Sequence, residues 1–256
     1  SLNSSITGNG LDNILTGNSG NNKLVGGGGS DTLYGNGGDD ILDGGAGNDT
    51  LNGGNGIDTA DYRSATSGVT VNLAVAAAQN TSGAGTDTLI SIDNILGTSS
   101  ADTLTGNVNA NVFTAGGGND SLNGGGGDDQ LDAGGGNDYL NGGSGSDALT
   151  GGSGNDIFAF LNGFGPTNVD TVTDYSVASD TINILAAAVG GLPTGTLAAS
   201  AFRIGAAAAD GSDRIIYNGA TGDLFYDSDG NGAAAAVLFA HLSAGLVMTN
   251  TEFVIV

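Results

Sequence analysis

The sequence repeats itself every nine residues, and this period constrains the fold more than any other feature. Six nonapeptides run without a break from Gly8, and seven more run from Gly97. All have an acidic or amide residue at position 6, and nearly all combine glycines near the start with one large apolar residue at position 8, as in GGAGNDTLN from Gly44. One apolar residue cannot form a core alone, but stacked repeats bury it on their neighbours.

Position 8 of the repeat predicts where the core lies. Twelve of the thirteen repeats carry leucine or phenylalanine there, and Ala60 ends the first run. Positions 7 to 9 then form a minimal strand with one inward side chain. The predicted core residues are Leu15, Leu24, Leu33, Leu42, Leu51, Leu104, Phe113, Leu122, Leu131, Leu140, Leu149 and Phe158. We therefore predict an all-β stack of repeats.

Position 6 supplies the candidate metal ligands. Glycines at positions 1, 2 and 4 permit unusual backbone angles and allow carbonyl oxygens to approach each other closely. Carboxylate and carbonyl oxygens are the hard ligands that Ca²⁺ prefers. The aspartates at position 6 are Asp31, Asp40, Asp49, Asp58, Asp102, Asp120, Asp129, Asp138, Asp147 and Asp156, and the weaker candidates in the same position are Asn13, Asn22 and Asn111.

The charge balance restricts the partners. Acidic residues outnumber Lys and Arg by 27 to 4, which gives a formal net charge of −23. A glycine-rich chain with this excess repels itself and stays expanded unless cations neutralise it. The same charge argues against nucleic acid and anionic lipid as partners, since both require basic surfaces. No apolar run reaches the length of about 18 residues needed for a transmembrane segment.

These repeats resemble the RTX (repeats-in-toxin, hemolysin-type) nonapeptide G-G-x-G-x-D-x-U-x over residues 8–61 and 97–159. The resemblance implies a right-handed parallel β-roll, with two nonapeptides per 18-residue turn and Ca²⁺ between loops one turn apart. It implies about nine calcium sites, of which the three that contain asparagine bind less tightly. The implied pairs are Asp31–Asp49, Asp40–Asp58, Asp102–Asp120, Asp120–Asp138, Asp129–Asp147, Asp138–Asp156, Asn13–Asp31, Asn22–Asp40 and Asn111–Asp129.

An irregular insert, residues 62–96, separates the runs. Val69, Val71, Leu73 and Val75 alternate as in a half-buried strand. SGAGTDTLI from Ser82 is an imperfect nonapeptide with Asp87 at position 6, a further weak ligand candidate. The insert is one residue short of two 18-residue turns. The stack either continues through it as two larger coils with a one-residue slip, which we favour, or is interrupted by a loop.

The remaining chain, residues 160–256, is predicted to cap the second run. NVDTVTDYSVASDTINIL resembles the segment that closes many RTX rolls, and it adds Asp170, Asp174 and Asp180 as possible ligands. RIIYNGATGDLFYDSDGNG predicts a hairpin, and AVLFAHL and EFVIV predict further strands. The region resembles the C-terminal domain of type I secreted proteins, whose signal often ends in an acidic residue followed by apolar ones. EFVIV fits that pattern and equally fits a simple strand.

Two polar features have simpler interpretations. DSDGNG, from Asp227, imitates the start of an EF-hand loop, but Leu238 occupies the position that requires a bidentate glutamate. A polar turn is the favoured interpretation, with an accessory ion as the alternative. His241 is the sole histidine and is predicted to be a partly buried structural residue, because one histidine without cysteine cannot form a multi-ligand centre.

No catalytic motif is present, since the sequence lacks H-E-x-x-H, G-x-S-x-G and cysteine. We expect no enzymatic activity in these residues. The predicted domains are 1–61, 62–96, 97–159 and 160–256. Two function classes remain: a calcium-folded assembly protein of a surface layer, matrix fibre or adhesin, and the secretion and folding part of a larger RTX protease, lipase, epimerase or toxin.

Both classes place the protein outside a Gram-negative bacterium, or on its surface, after type I export. The expected partners are calcium ions and the type I secretion apparatus, with self-assembly or cell-surface polysaccharide as further candidates. The start without methionine is consistent with a processed or excised fragment.

Overall fold

Parallel β-strands stacked at the repeat period form most of the structure, a computed structural model that describes residues 2–256. Two compact units divide it, the first ending at Leu122 and the second running from Asn123 to Val256. The strands β1 to β14 are Ser5–Thr7, Ile14–Thr16, Lys23–Gly28, Thr32–Gly37, Ile41–Ala46, Thr50–Asn55, Thr59–Asp61, Thr70–Asn72, Gln79–Asn80, Thr86–Ile90, Asn94–Leu96, Thr103–Thr105, Val112–Gly117 and Ser121–Gly126, the last of which includes the division between the units.

The second unit contains strands and three short 3₁₀ helices. Strands β15 to β26 are Gln130–Gly135, Tyr139–Ser144, Ala148–Thr150, Ile157–Phe160, Asp170–Val172, Thr181–Ile184, Gly195–Thr196, Phe202–Ile204, Ile215–Asn218, Asp223–Tyr226, Val237–His241 and Phe253–Ile255. The 3₁₀ helices are Ala186–Val189, Ala199–Ala201 and Asn250–Glu252. Within residues 2–256, no helix has the length and apolarity needed to cross a membrane.

In the first unit, two parallel sheets alternate along the chain. One has the order β1-β3-β5-β7-β11-β13 and the other β2-β4-β6-β10-β9, in which only β9 is antiparallel. Leu24 pairs with Leu42 and Leu33 with Leu51, so that equivalent positions lie side by side 18 residues apart. All of these leucines are buried. The prediction of an all-β roll is therefore confirmed.

The interior strands are longer than the sequence pattern predicts. Strand β3 spans six residues, positions 7 to 9 of one repeat and positions 1 to 3 of the next. The glycines continue the ladder, as in the pairing of Gly27 with Gly45. The backbone of Gly27 has φ = 112° and that of Gly29 has φ = 102°, values that side chains on Cβ disfavour. Glycine therefore builds strand as well as loop in this repeat.

The stack continues through the insert, but not as two enlarged coils. Strand β6 pairs with β10 at an offset of 38 residues, Thr50 with Thr88, and β7 pairs with β11 at an offset of 35, Thr59 with Asn94. Residues 62–81 are an excursion from the regular coil. Its strand β8 is added beside β12, through the pairing of Val71 with Leu104. The predicted one-residue slip is not the geometry that the structure adopts.

In the second unit, strands from the C-terminal region complete the roll. Strands β15, β17 and β19 are parallel, and so are β16, β18 and β20. Strand β25 then pairs with β19, and β26 pairs with β20, so both final edges of the roll are covered. Strands β23 and β24 form the predicted antiparallel hairpin. This covering is needed because an open roll end would expose unpaired strand edges.

Candidate calcium sites

The position-6 side chains of the first unit form two ladders of hydrogen bonds along the stack. In one, the backbone N–H of Asp31 donates to Oδ1 of Asp49 at 2.8 Å. In the other, the N–H of Asp40 donates to Oδ1 of Asp58, also at 2.8 Å. The same bond, at 2.7 Å, joins the three other predicted pairs that lie within this unit: Asn13–Asp31, Asn22–Asp40 and Asp102–Asp120.

The second unit repeats the arrangement. The N–H of Asp129 donates to Asp147 and that of Asp138 donates to Asp156, at 2.8 and 2.9 Å. Two predicted pairs, Asn111–Asp129 and Asp120–Asp138, join residues of different units and stay predictions. The structure thus brings the position-6 residues together within each unit in the predicted order. Their ligation of calcium remains a proposal.

Three candidates outside the regular repeats extend the ladders. The N–H of Asp49 donates to Asp87 at 3.0 Å. Those of Asp147 and Asp156 donate to Asp170 and Asp180, each at 3.1 Å. Asp174 lies elsewhere, since its carboxylate accepts the N–H groups of Gly151 and Gly152 at 3.0 and 2.7 Å. Asp170 and Asp180 are therefore placed as ladder members, and Asp174 is not.

One ladder member was missed by the sequence pattern. The N–H of Asp58 donates to Oδ2 of Asp93 at 2.8 Å. Asp93 lies nine residues before Asp102 but only six after Asp87, and the pairing of Thr59 with Asn94 shows its place in the stack. A signal was available in the six residues before Gly97, which match positions 4 to 9 of a repeat.

The second carboxylate oxygens of the ladder are buried. Oδ2 lacks a hydrogen-bond partner in Asp31, Asp40, Asp49, Asp58 and Asp147. Each lies against the position-1 glycine of its own repeat, so closely that a Cβ on Gly35 would overlap Oδ2 of Asp40 and the carbonyl oxygen of Gly53. In the repeat of Asp40, carboxylate and carbonyl oxygens therefore share a space that the glycine at position 1 leaves free. Alanine takes position 1 in two other repeats, as Ala115 and Ala133.

This donor set fits Ca²⁺. The buried oxygens are hard ligands, and the neighbouring coil supplies carbonyl oxygens of the kind that calcium uses together with aspartate. No group of three His, Cys, Asp or Glu residues that could hold a metal occurs in residues 2–256. An ion between two loops would therefore depend on backbone carbonyls for most of its coordination, with one or two carboxylates.

The electrostatics of the metal-free sites favour added positive charge. Burial, together with the carboxylates of Asp87 and Asp31, raises the pKa of Asp49 to about 6, against a lowering by the hydrogen bond from the N–H of Asp31. Burial likewise raises the pKa of Asp58 to about 6. In the second unit, burial raises the pKa of Asp170 to about 8. Ionised carboxylates are therefore costly here without a counter-ion.

The asparagine-containing sites differ from the others. The side-chain N–H of Asn22 donates to Oδ1 of Asp40 at 2.8 Å, so that an amide hydrogen occupies one oxygen of the partner. Oδ1 of Asn13 accepts the N–H of Asn9, four residues earlier in its own loop, at 2.7 Å. Fewer charged oxygens are available at these sites, which supports the prediction that they bind calcium less tightly.

A second ladder, at position 5, was not predicted. There the side chain accepts the N–H of the following coil, whereas at position 6 it accepts that of the preceding coil. Asn21 accepts the N–H of Asp39 at 2.9 Å, and Asp39 accepts that of Ile57 at 3.0 Å. The other bonds of this kind are Asp12–Ser30, Asn48–Thr86, Asp128–Ser146 and Asn137–Asn155.

The other polar candidates have structural surroundings. His241 is half-exposed, and its Nδ1 lies 2.7 Å from Oδ1 of Asp223. DSDGNG forms the polar connection between β24 and β25, where the N–H of Asp229 donates to Asp227 at 3.2 Å. In EFVIV, Phe253 and Ile255 are buried in β26, so this segment is a core strand.

The family comparison decides the nature of the repeats. A model described as RTX calcium-binding nonapeptide repeat (4 copies) matches residues 7–42, 25–60, 90–122 and 123–158. The two runs are RTX calcium-binding repeats. The prediction of the family is confirmed for these segments, and RTX repeats are structural calcium-binding modules rather than catalytic ones.

No curated protein sequence matches the full chain significantly. Among solved structures, the extracellular lipase LipA from Serratia marcescens matches with 17% identity and a TM-score of 0.29. That match covers 100% of this chain and 40% of the lipase chain, so the RTX chain spans less than half of the lipase's length.

Proposed function

We propose that this chain is an extracellular module whose RTX repeats fold when calcium binds after export. The observation that carries the proposal is the set of buried carboxylate oxygens without hydrogen-bond partners, of which those of Asp31, Asp40 and Asp58 lie beside a backbone carbonyl oxygen of a neighbouring coil. Leaving one such group unsatisfied costs on the order of 1–3 kcal/mol, and more when it is charged. A calcium ion between the loops satisfies these oxygens and offsets their mutual repulsion.

The concentration of calcium then sets the folding equilibrium. Extracellular calcium modules bind at about 10⁻⁴–10⁻³ M, far above the free calcium of a bacterial cytosol. Each site stabilises the folded state by about 1.4 kcal/mol when calcium is at ten times its dissociation constant. Several such sites approach the net stability of a typical domain, about 5–15 kcal/mol. The repeats therefore stay unfolded inside the cell and fold outside.

Circular dichroism of the metal-free chain tests this function. With chelator we expect a disordered spectrum, and with millimolar calcium a cooperative gain of β structure. Magnesium at the same concentration is the matched control, because Mg²⁺ requires octahedral geometry and dehydrates reluctantly. Full β structure in chelator, unchanged by calcium, would show that the ion does not control folding.

For the biological role, we propose structural assembly at the cell surface, as in a surface layer, matrix fibre or adhesin. The support is that the RTX repeats are structural modules, and that the sequence lacks catalytic motifs. The alternative is a secretion and folding module of a larger RTX enzyme or toxin. The match to part of a lipase chain is of too low similarity to favour either role.

Calcium-dependent polymerisation distinguishes the two roles. The calcium-loaded chain should form ordered polymers detectable by light scattering and electron microscopy if it assembles, and should remain monomeric if it serves only as a module. The mass of the native polypeptide provides the second measurement. A much longer polypeptide with a catalytic motif would overturn the assembly role.

A further inference from the structure

One repeat of the first unit lacks three residues. The imperfect nonapeptide at residues 82–90 is followed by Ser91–Leu96, which corresponds to positions 4 to 9 only. The pairing shows the same deficit, since the offset falls from 38 residues between β6 and β10 to 35 between β7 and β11. The loop before β11 is therefore reduced to Ser91, Ile92 and Asp93.

A cavity of about 330 Å³ lies beside this shortened loop. Gly54 and Gly56 line it from the preceding coil, Asn107 and Asn109 from the following one, and Asp93 from the shortened loop itself. One water molecule needs only on the order of 10–15 Å³ of comparable volume, so the cavity has room for several. In a regular repeat, positions 1 to 3 would precede residue 91 and contribute backbone to this side of the coil.

Asp93 is the one carboxylate among the residues that line this cavity. It accepts the N–H of Asp58 through Oδ2. Asp58 is fully buried and its own Oδ2 has no hydrogen-bond partner, and both that oxygen and the carbonyl oxygen of Ser91 lie beside Gly53. Ser91 thus supplies the carbonyl oxygen that Gly53 supplies beside Gly35 in the regular coil. The other backbone carbonyls of positions 1 to 3, which a closed calcium site could use, have no counterpart in this shortened loop.

We propose that this cavity binds a divalent cation that keeps part of its water shell, with Asp93 as its principal protein ligand. Ca²⁺ takes six to eight oxygens, which the shortened loop cannot supply from protein alone. Mg²⁺ and ions like it usually keep several waters and bind through one or two carboxylates. The site is thus an open one, unlike the closed sites between regular loops. It depends on the folded roll of the proposed function.

Mn²⁺ in the presence of excess calcium tests the open site. Calcium fills the closed sites, and we expect one Mn²⁺ per chain to raise the relaxation rate of water protons, because its water ligands exchange with solvent. Asp93→Asn should weaken this binding at least about tenfold, since ligand charge sets the affinity. The asparagine can still accept the N–H of Asp58. The matched control is Asp12→Asn, which removes a carboxylate that accepts one backbone N–H, from Ser30, away from the cavity.

A second variant restores the missing residues. Inserting Gly-Gly-Asn between Ile90 and Ser91 completes the repeat and fills the cavity, so the relaxation effect of Mn²⁺ should be lost. The same insertion after Ala234, in the exposed connection between β24 and β25, should leave it unchanged. Binding without any relaxation effect, or an effect that survives both Asp93→Asn and the completed repeat, would overturn the open site. Calcium-induced circular dichroism of each variant reports separately on the folding of the roll.

Discussion

At the scale of single residues, the space at position 1 differs between repeats. Gly35 lies where Oδ2 of Asp40 and the carbonyl oxygen of Gly53 converge. The backbone angle alone does not require glycine at this position, since Gly35 has no positive φ. The requirement at Gly35 is therefore one of space, and it is local, because Ala115 and Ala133 stand at position 1 of two other repeats and are fully buried there.

Gly35→Ala should therefore destabilise the calcium-loaded roll. The added methyl group overlaps a backbone atom that cannot move without the neighbouring coil, and overpacking of this kind costs about 1–3 kcal/mol. Calcium affinity should fall as well. Gly10→Ala is the matched control, because nothing lies near its Cβ. Thermal unfolding at fixed calcium measures both variants, and equal loss in the two would contradict the steric account.

Because the pKa values of buried aspartates are raised, the metal-free roll should be more stable at acidic pH. Burial raises the pKa of Asp49 and Asp58 to about 6, above the unfolded value of about 3.9. Folding then binds protons, so stability is fully present below about pH 4 and is lost as the pH rises through 6. Acidifying the calcium-free chain from pH 7.5 to pH 5.5 should increase its β signal. With calcium the trend should reverse, since the ion requires ionised ligands.

At the scale of elements, the two ladders tie each coil to both of its neighbours. Position 6 accepts an N–H from the preceding coil and position 5 accepts one from the following coil, as Asp40 and Asn21 show. The position-6 ladder follows from the sequence because its aspartates recur strictly. The position-5 ladder does not, because Asp12, Asn21 and Ile57 share no obvious property there.

Asn21→Ala should cost about 0.5–1.5 kcal/mol, the net value of one hydrogen bond to a backbone N–H. The change alters no charge, so it separates the hydrogen bond from the acidity of the repeats. Ser30→Ala is the control, since Ser30 takes part in this ladder through its backbone N–H. Urea unfolding of the calcium-loaded chain gives the comparison, and indistinguishable midpoints would show that the position-5 ladder contributes nothing.

Which elements the sequence predicts depends on how regular they are. Leu24 to Leu51 and Leu122 to Phe158 follow a fixed period, so their burial and pairing are predictable. Val69 and Val71 alternate as expected and are buried, yet the repeat period does not predict that Val71 pairs with Leu104. Asp93 was missed although it lies nine residues before Asp102, because its repeat lacks positions 1 to 3 and so does not have the full nine-residue pattern.

At the scale of the whole molecule, stability without calcium should be uneven. The second unit contains an aromatic cluster. Phe164 stacks on Phe239 with their ring centroids 4.4 Å apart, and Phe239 packs edge-on to Phe160 with ring centroids 5.3 Å apart. Antiparallel strands β23 to β25 lie in the same unit. These contacts involve apolar surface and need no ion. The repeats, by contrast, bury one apolar residue in nine.

Hydrogen exchange in chelator should therefore show protection confined to the region after Ile157. Amides of residues 8–122 should exchange at the rate of an unfolded chain, and added calcium should protect them. Leu140 and Leu149, in the repeats of the second unit, should behave like those of the first. Uniform protection along the chain without calcium would mean that the repeats have a metal-independent core.

Export should depend on a segment that folding later buries. Phe253 and Ile255 are buried in β26, and Glu252 accepts the N–H of Thr249 as part of a cap. A type I apparatus could read these residues only in the unfolded chain. Deleting 252–256 should reduce export. Ile184→Ala, which weakens the same sheet where Ile184 pairs with Ile255, should not. Equal export of the deletion and the intact chain would remove this segment from the signal.

Near-identical repeats do not by themselves determine which coil pairs with which. Any repeat can take the place of the repeat two positions away at little cost in free energy. The first unit departs from the regular repeat in two places, the excursion at residues 62–81 and the shortened repeat after Ile90. These irregular segments mark one fixed position in the otherwise uniform stack. Folding that spreads along the stack from either side can align the chain in only one way there. The irregularity that interrupts the period therefore also fixes the pairing register of the coils.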